Sequence, residues 1–110
     1  MAKNWTAPQI AKHKVSAGNE PLVMLTAYDA PGGRMVSEAG ADIILVGDTL
    51  AMVVLGYEDT MQVTIEDMVH HTAAVARAEP DAFIVADLPW MSYHVSQEET
   101  VKNAARLIRA

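Results

Sequence analysis

Short apolar segments alternate with amphipathic segments along the chain. Three of the apolar segments, residues 22–26, 43–46 and 83–86, are rich in aliphatic and β-branched residues. Continuous apolar runs of this length are typical of strands buried in parallel sheets, and the intervening segments carry apolar residues at helical spacing. The pattern therefore predicts an α/β fold in the order βαβαβα, in which the second strand ends at Asp48.

Local signals mark where the helices begin and end. Thr6, Thr64 and Ser96 each stand three positions before a Gln or an acidic residue that can complete a capping box. We therefore expect helices to begin after these residues. A further helix is predicted over residues 31–39, with Gly40 placed to end it.

Two apolar surfaces in this pattern need a partner. Residues 49–63 form a long connection that contains several large apolar residues, which is typical of a functional loop packed over other structure or against a partner. The last predicted helix has one apolar face. Its members are Val101, Ala104, Ala105 and Ile108.

Composition limits the possible classes of protein. The chain has 110 residues, 51% of them hydrophobic, and a net charge of −6 with no clustered basic segment. We expect one globular domain with neither a nucleic acid nor a membrane as its partner. The absence of cysteine excludes disulfides, thiolate zinc sites and cysteine nucleophiles. Residues 1–18 are polar and lack the apolar core of a signal peptide, so we expect a cytoplasmic protein.

Asp48 and Asp87 close the second and third apolar runs. The carboxyl ends of parallel strands are where α/β folds place their ligands, so we expect the two carboxylates to share one edge of the sheet. Paired carboxylates can hold a hard cation such as Mg²⁺, with water or substrate in the remaining positions. The alternative is that each aspartate only caps the loop or helix that follows it.

Several neighbouring residues have competing interpretations. Thr49 either donates its hydroxyl to a ligand oxygen or caps a turn. Tyr28 and Asp29 follow the first strand and reach the same edge, although capping of the next helix is the simpler role for Asp29.

The histidines give weaker signals. His70 and His71 are adjacent in a predicted helix, where their side chains diverge by about 100° and cannot chelate one ion together. Surface or packing roles are therefore expected for both. His94 lies in a loop after the third strand, next to Trp90, Met91 and Tyr93. No dinucleotide-binding, Walker A, serine-hydrolase or zincin motif occurs in the sequence.

Five segments together resemble the ketopantoate hydroxymethyltransferase family. They are residues 26–29 (TAYD), 46–53 (VGDTLAMV), 56–57 (GY), 70–72 (HHT) and 86–93 (ADLPWMSY). Members of that family are (β/α)8 barrels (TIM barrels) of the phosphoenolpyruvate/pyruvate group and are longer than this chain. The resemblance therefore implies that residues 1–110 are the N-terminal portion of a single barrel domain, about its first three βα units.

The resemblance also implies a reaction. Members of the family transfer a hydroxymethyl group from 5,10-methylenetetrahydrofolate to 3-methyl-2-oxobutanoate, giving 2-dehydropantoate for pantothenate and coenzyme A synthesis. By resemblance, Asp48 and Asp87 bind Mg²⁺, and Asp48, Thr49 and Asp87 contact the 2-oxo acid. A homo-oligomer is also implied.

The chain departs from the family pattern at two positions. Thr49 and Ala51 stand where the family usually has Ser and often has Gly. The added methyl group of Thr49 is expected to narrow the substrate pocket. The family's Lys-x-Glu strand end and its glutamate general base fall beyond Ala110. The resemblance therefore places no catalytic acid or base in this chain, and we expect the isolated 110 residues to be inactive.

Two other interpretations compete with this one. A small doubly wound regulatory or binding domain would also have acidic strand ends and a cation site, but it requires five strands, whereas the pattern contains three. Another enolate-forming enzyme of the phosphoenolpyruvate/pyruvate group would share the fold. Phosphonate or isocitrate chemistry would need phosphate- or carboxylate-binding groups that the sequence does not display.

Overall fold

The computed structural model describes residues 4–110, so the first three residues of the polar N-terminal segment lie outside it. Its sheet has three parallel strands, β1 (Met24–Thr26), β2 (Ile43–Val46) and β3 (Phe83–Ala86), in the spatial order β1-β2-β3. Ile43 pairs with Met24 on one side and with Phe83 on the other. Because all strands run the same way, their carboxyl ends meet at one edge.

Five α-helices and one 3₁₀ turn surround or connect these strands within the described residues. The helices are α1 (Ala7–Lys12), α2 (Ala30–Glu38), α3 (Leu50–Val53), α4 (Ile65–Arg77) and α5 (Gln97–Arg109), and the 3₁₀ turn is Val15–Ala17.

The predicted helix starts are confirmed. Thr6 and Thr64 form capping boxes with Gln9 and Asp67, respectively, and the Ser96 side chain accepts a hydrogen bond from the Glu99 N–H at 3.1 Å. Each cap satisfies backbone N–H groups that the first turn of a helix leaves without an intrahelical partner.

Three details of the predicted pattern are wrong. The first strand begins at Met24 and not at residue 22. The second strand ends at Val46 and not at Asp48, because the pairing with β3 stops where Val46 meets Ala86. The connection over residues 49–63 contains helix α3, which the pattern did not predict. Leu50 and Ala51 in α3 are fully buried, so part of this connection packs into the core.

The core lies between the sheet and helices α2 and α4, which also pack against each other. Its fully buried side chains include Ile44, Val46, Leu50, Met68 and Val75. Burial of such apolar side chains is the main favourable contribution to folding. No helix within residues 4–110 has the length and apolarity that crossing a bilayer requires.

Candidate functional site

The structure brings Asp48 and Asp87 together at the carboxyl edge of the sheet. Asp87 directly follows β3, and its backbone N–H donates to the carbonyl of Val46 at 3.1 Å. This bond extends the contact between the strands by one residue. The Asp48 backbone N–H then donates to Asp87 Oδ2 at 3.0 Å. Both aspartate side chains are half-buried and lie on adjacent strand ends, as the parallel pattern predicts.

The two aspartates also interact electrostatically. Partial burial and the negative charge of Asp87 raise the pKa of Asp48, and a hydrogen bond involving its own backbone opposes this rise. Burial disfavours the ionised carboxylate, and a nearby like charge disfavours it further. A cation placed between the two groups would remove this repulsion.

Gly47 leaves open space beside these groups. A Cβ added to Gly47 would lie 3.4 Å from Asp87 Oδ2 and 3.5 Å from Thr49 Oγ1. The missing side chain therefore leaves a small space that a carboxylate oxygen and a hydroxyl both border. Thr49 occupies the N-cap position of α3, but its side chain makes no capping hydrogen bond.

Tyr28 adds a hydroxyl to the same edge from the end of β1. Its Oη lies 3.4 Å from Thr49 Oγ1, and its ring packs against the core. His71 Nδ1 lies 2.7 Å from the backbone oxygen of Tyr28. A carbonyl oxygen only accepts, so His71 Nδ1 carries the proton in this contact. Sequence reasoning placed Tyr28 near this edge but did not include it among the site residues.

The remaining candidates have structural contacts. The Asp29 side chain caps α2 by accepting from the Gly32 N–H at 2.7 Å. His94 Nδ1 accepts from the Met91 N–H at 3.1 Å, and its ring stacks on Tyr93. His70 is exposed. These contacts agree with the capping role expected for Asp29 and with the surface role expected for His70.

The donor set at the edge suits a hard cation, although it is incomplete by itself. Carboxylate and hydroxyl oxygens are ligands that Mg²⁺ accepts, and Mg²⁺ commonly keeps several positions for water or substrate. No group of three histidine or acidic side chains suited to a metal occurs within residues 4–110. The two aspartates therefore fit a cation that other oxygens also coordinate.

A family model described as ketopantoate hydroxymethyltransferase matches residues 4–110. The chain belongs to this family. The expected family is thereby confirmed.

Individual ketopantoate hydroxymethyltransferase relatives match at high identity. A 3-methyl-2-oxobutanoate hydroxymethyltransferase from Geobacillus sp. (strain WCH70) is 57% identical over 96 residues, which are 87% of this chain and 34% of the relative. A protein of the same name from Ignicoccus hospitalis is 63% identical over 91 residues, 83% of this chain and 35% of the relative. The chain thus spans about a third of the length of the curated relatives it matches.

Solved structures establish the fold. A 2,3-dimethylmalate lyase, named as a member of the PEP mutase/isocitrate lyase superfamily, aligns with a TM-score of 0.68 at 20% identity. The alignment covers 96% of this chain and 37% of that one. An oxaloacetate acetylhydrolase aligns with a TM-score of 0.64 at 20% identity, over 84% of this chain and 32% of that one. The three βα units therefore have the fold of the matching part of a (β/α)8 barrel.

Proposed function

We propose that this chain supplies the cation- and substrate-binding edge of a 3-methyl-2-oxobutanoate hydroxymethyltransferase. The reaction transfers a hydroxymethyl group from 5,10-methylenetetrahydrofolate to 3-methyl-2-oxobutanoate and yields 2-dehydropantoate, a precursor of pantothenate. The observation that carries the proposal is the 3.0 Å contact of Asp48 N–H with Asp87 Oδ2, which joins two acidic strand ends at the ligand-binding edge of a barrel sheet.

In this proposal Asp48 and Asp87 hold Mg²⁺, either directly or through water. A divalent cation bound there supplies Lewis-acid stabilisation of negative charge on the keto oxygen of the substrate. Thr49 is exposed and free of a capping bond, so its hydroxyl is available to donate to a substrate oxygen. Partial burial and the negative charge of Asp87 raise the pKa of Asp48, and a bound cation would relieve the repulsion between the two carboxylates.

In this proposal, the chain binds and orients the substrate. No residue among 4–110 is proposed to remove the proton from C3 of the substrate. The small-molecule partners are the 2-oxo acid and the folate. A biosynthetic role of this kind suits a cytoplasmic enzyme.

A chimera tests the proposal directly. This chain replaces the matching third of the Geobacillus relative, and the product is assayed for 2-dehydropantoate and for deuterium exchange at C3 of 3-methyl-2-oxobutanoate in D₂O with Mg²⁺. We expect both reactions with the chimera, and loss of most of both after Asp87→Asn.

Asp81→Asn is the matched control, because it makes the same chemical change at an exposed position before β3. We expect this variant to keep the activity of the chimera. An Asp87→Asn chimera with full activity and unchanged Mg²⁺ dependence would reject the proposed roles.

A further inference from the structure

Tyr28 and Thr49 have a spacing that suits a shared acceptor. Their hydroxyl oxygens are 3.4 Å apart, whereas a good O–H···O bond is about 2.7–2.8 Å long. A mutual hydrogen bond between them is therefore weak. A third oxygen that forms a triangle with the two hydroxyl oxygens can lie about 2.8 Å from each and accept from both. The pair is therefore better arranged for a third atom than for each other.

Contacts with the core and with neighbouring backbone or side-chain groups hold Tyr28 and Thr49 in place. The ring of Tyr28 packs against the core, and its backbone carbonyl accepts a hydrogen bond from His71 Nδ1, with 2.7 Å between nitrogen and oxygen. Thr49 is fixed by its position at the start of α3, where its carbonyl accepts from the backbone N–H groups of Met52 and Val53.

The negative charges of Asp48 and Asp87 affect how an anionic substrate can bind near the Tyr28 and Thr49 hydroxyls. Asp48 and Asp87 make this edge of the sheet negative, so they repel the carboxylate of an incoming 2-oxo acid. A bound cation or hydrogen-bond donors next to that carboxylate would offset the repulsion. Thr49 directly follows Asp48, and the Tyr28 hydroxyl lies 3.4 Å from the Thr49 hydroxyl, so both are side-chain donors at this edge. Hydrogen bonds from donors to a carboxylate are stronger than those to neutral oxygens.

We propose that Tyr28 is a substrate-anchoring residue, whose hydroxyl acts with that of Thr49 to bind one oxygen of the carboxylate of the 2-oxo acid. His71 is the positioning residue that holds Tyr28 in place. This inference rests on the proposed function, and it adds to it a residue just after β1 that recognises the acid group rather than the ketone.

The test measures ligand binding by the 110-residue chain with NMR titrations at saturating Mg²⁺. The ligands are 3-methyl-2-oxobutanoate and 3-methyl-2-butanone, which keeps the ketone but lacks the carboxylate. Tyr28→Phe and Thr49→Val each remove one hydroxyl and keep the size of the side chain. Tyr93→Phe is the matched control, because Tyr93 stacks on His94 in the β3–α5 loop.

Tyr28→Phe and Thr49→Val should each raise the dissociation constant of the oxo acid roughly tenfold or more, the effect of losing a hydrogen bond to a charged group. Affinity for the ketone, and for Mn²⁺ without the acid, should stay unchanged. If Tyr28 had a purely structural role, Tyr28→Phe would weaken the binding of both ligands by the same factor. Tyr93→Phe should bind like the unchanged chain.

The outcomes separate the two proposals. Oxo-acid binding that is lost in Asp87→Asn but kept in Tyr28→Phe would overturn the anchoring role and leave the proposed function in place. Equal weakening of the acid and the ketone in Tyr28→Phe would also overturn it. Absence of oxo-acid binding by the unchanged chain would count against both.

Discussion

Asp48 and Asp87 are separated by 39 positions in the chain and joined by one 3.0 Å hydrogen bond. Their meeting was predictable, because each directly follows an apolar run and parallel strands bring such ends together. The contacts of Tyr28 with Thr49 and with His71 were not predictable. These contacts depend on the positions of α4 and of the start of α3 relative to the sheet. No local sequence pattern specifies those positions.

The raised pKa of Asp48 predicts how its substitution affects stability. A folded state that raises this pKa holds the proton more tightly than the unfolded chain, so ionised Asp48 costs stability near neutral pH. That cost disappears as the pH falls from above the raised pKa to below the ordinary aspartate value. Without divalent cations, Asp48→Asn should therefore be more stable than the unchanged chain near neutral pH, and the gain should shrink toward acid pH.

Urea unfolding followed by circular dichroism at several pH values measures this difference. Asp81→Asn should show no comparable gain, because its carboxylate does not face a second one at the strand ends. A stability gain of Asp48→Asn that is independent of pH would contradict the assigned cause.

Gly47 gives a prediction about the space beside the aspartates. A Cβ there would sit at ordinary contact distance from Asp87 Oδ2 and Thr49 Oγ1, so Gly47→Ala should fold. The methyl group would fill the space that a ligand oxygen needs. We expect nearly unchanged thermal stability and markedly weaker binding of 3-methyl-2-oxobutanoate by NMR titration. Unweakened binding in a folded variant would place the ligand elsewhere.

Among the secondary-structure elements, helix starts are predicted better than the bounds of strands. The starts of α1, α4 and α5 were predicted because a cap is made by side chains within four residues of the helix. The end of β2 was misplaced because it depends on the neighbouring strand. Helix α3 was missed because it has only four residues and no side-chain cap at Thr49.

The capping box of α4 carries a measurable share of stability. Thr64 Oγ1 accepts from the Asp67 N–H at 3.1 Å, and Asp67 Oδ2 accepts from the Thr64 N–H at 3.0 Å. Thr64→Ala should lower the free energy of unfolding by about 1 kcal/mol. Thr60→Ala, in the connection before α4, is the control, and chemical denaturation of both variants provides the comparison. Equal stabilities would mean that the box contributes nothing to α4.

The pattern predicted the fold class and the parallel order of the strands, and it also indicated that the apolar face of the last helix needs a partner. Val101 and Ile108 on α5 are 68% and 87% exposed. In the part of the chain that the structure describes, β1 and β3 each pair on one side only. Open strand edges and exposed apolar side chains favour association.

We therefore expect the isolated chain to self-associate in a concentration-dependent way in sedimentation velocity experiments. Ile108→Lys should weaken this association with little effect on folding, since Ile108 is already exposed. Val15→Lys makes the same change at a 58% exposed position in the 3₁₀ turn and should have less effect. A chain that stays monomeric at all concentrations and unfolds cooperatively would contradict this expectation.

Binding of a divalent cation by Asp48 and Asp87 together underlies the proposed function. Electron paramagnetic resonance of Mn²⁺, a substitute for Mg²⁺, counts free and bound ions directly. We expect the 110-residue chain to bind Mn²⁺, and we expect Asp48→Asn and Asp87→Asn each to weaken this binding roughly tenfold or more, since each removes a charged oxygen ligand. Asp81→Asn should leave Mn²⁺ binding unchanged, and 3-methyl-2-oxobutanoate should alter the spectrum of the bound ion. Equal Mn²⁺ affinity of the unchanged chain and the Asp87→Asn variant would show that the two aspartates do not bind the cation together.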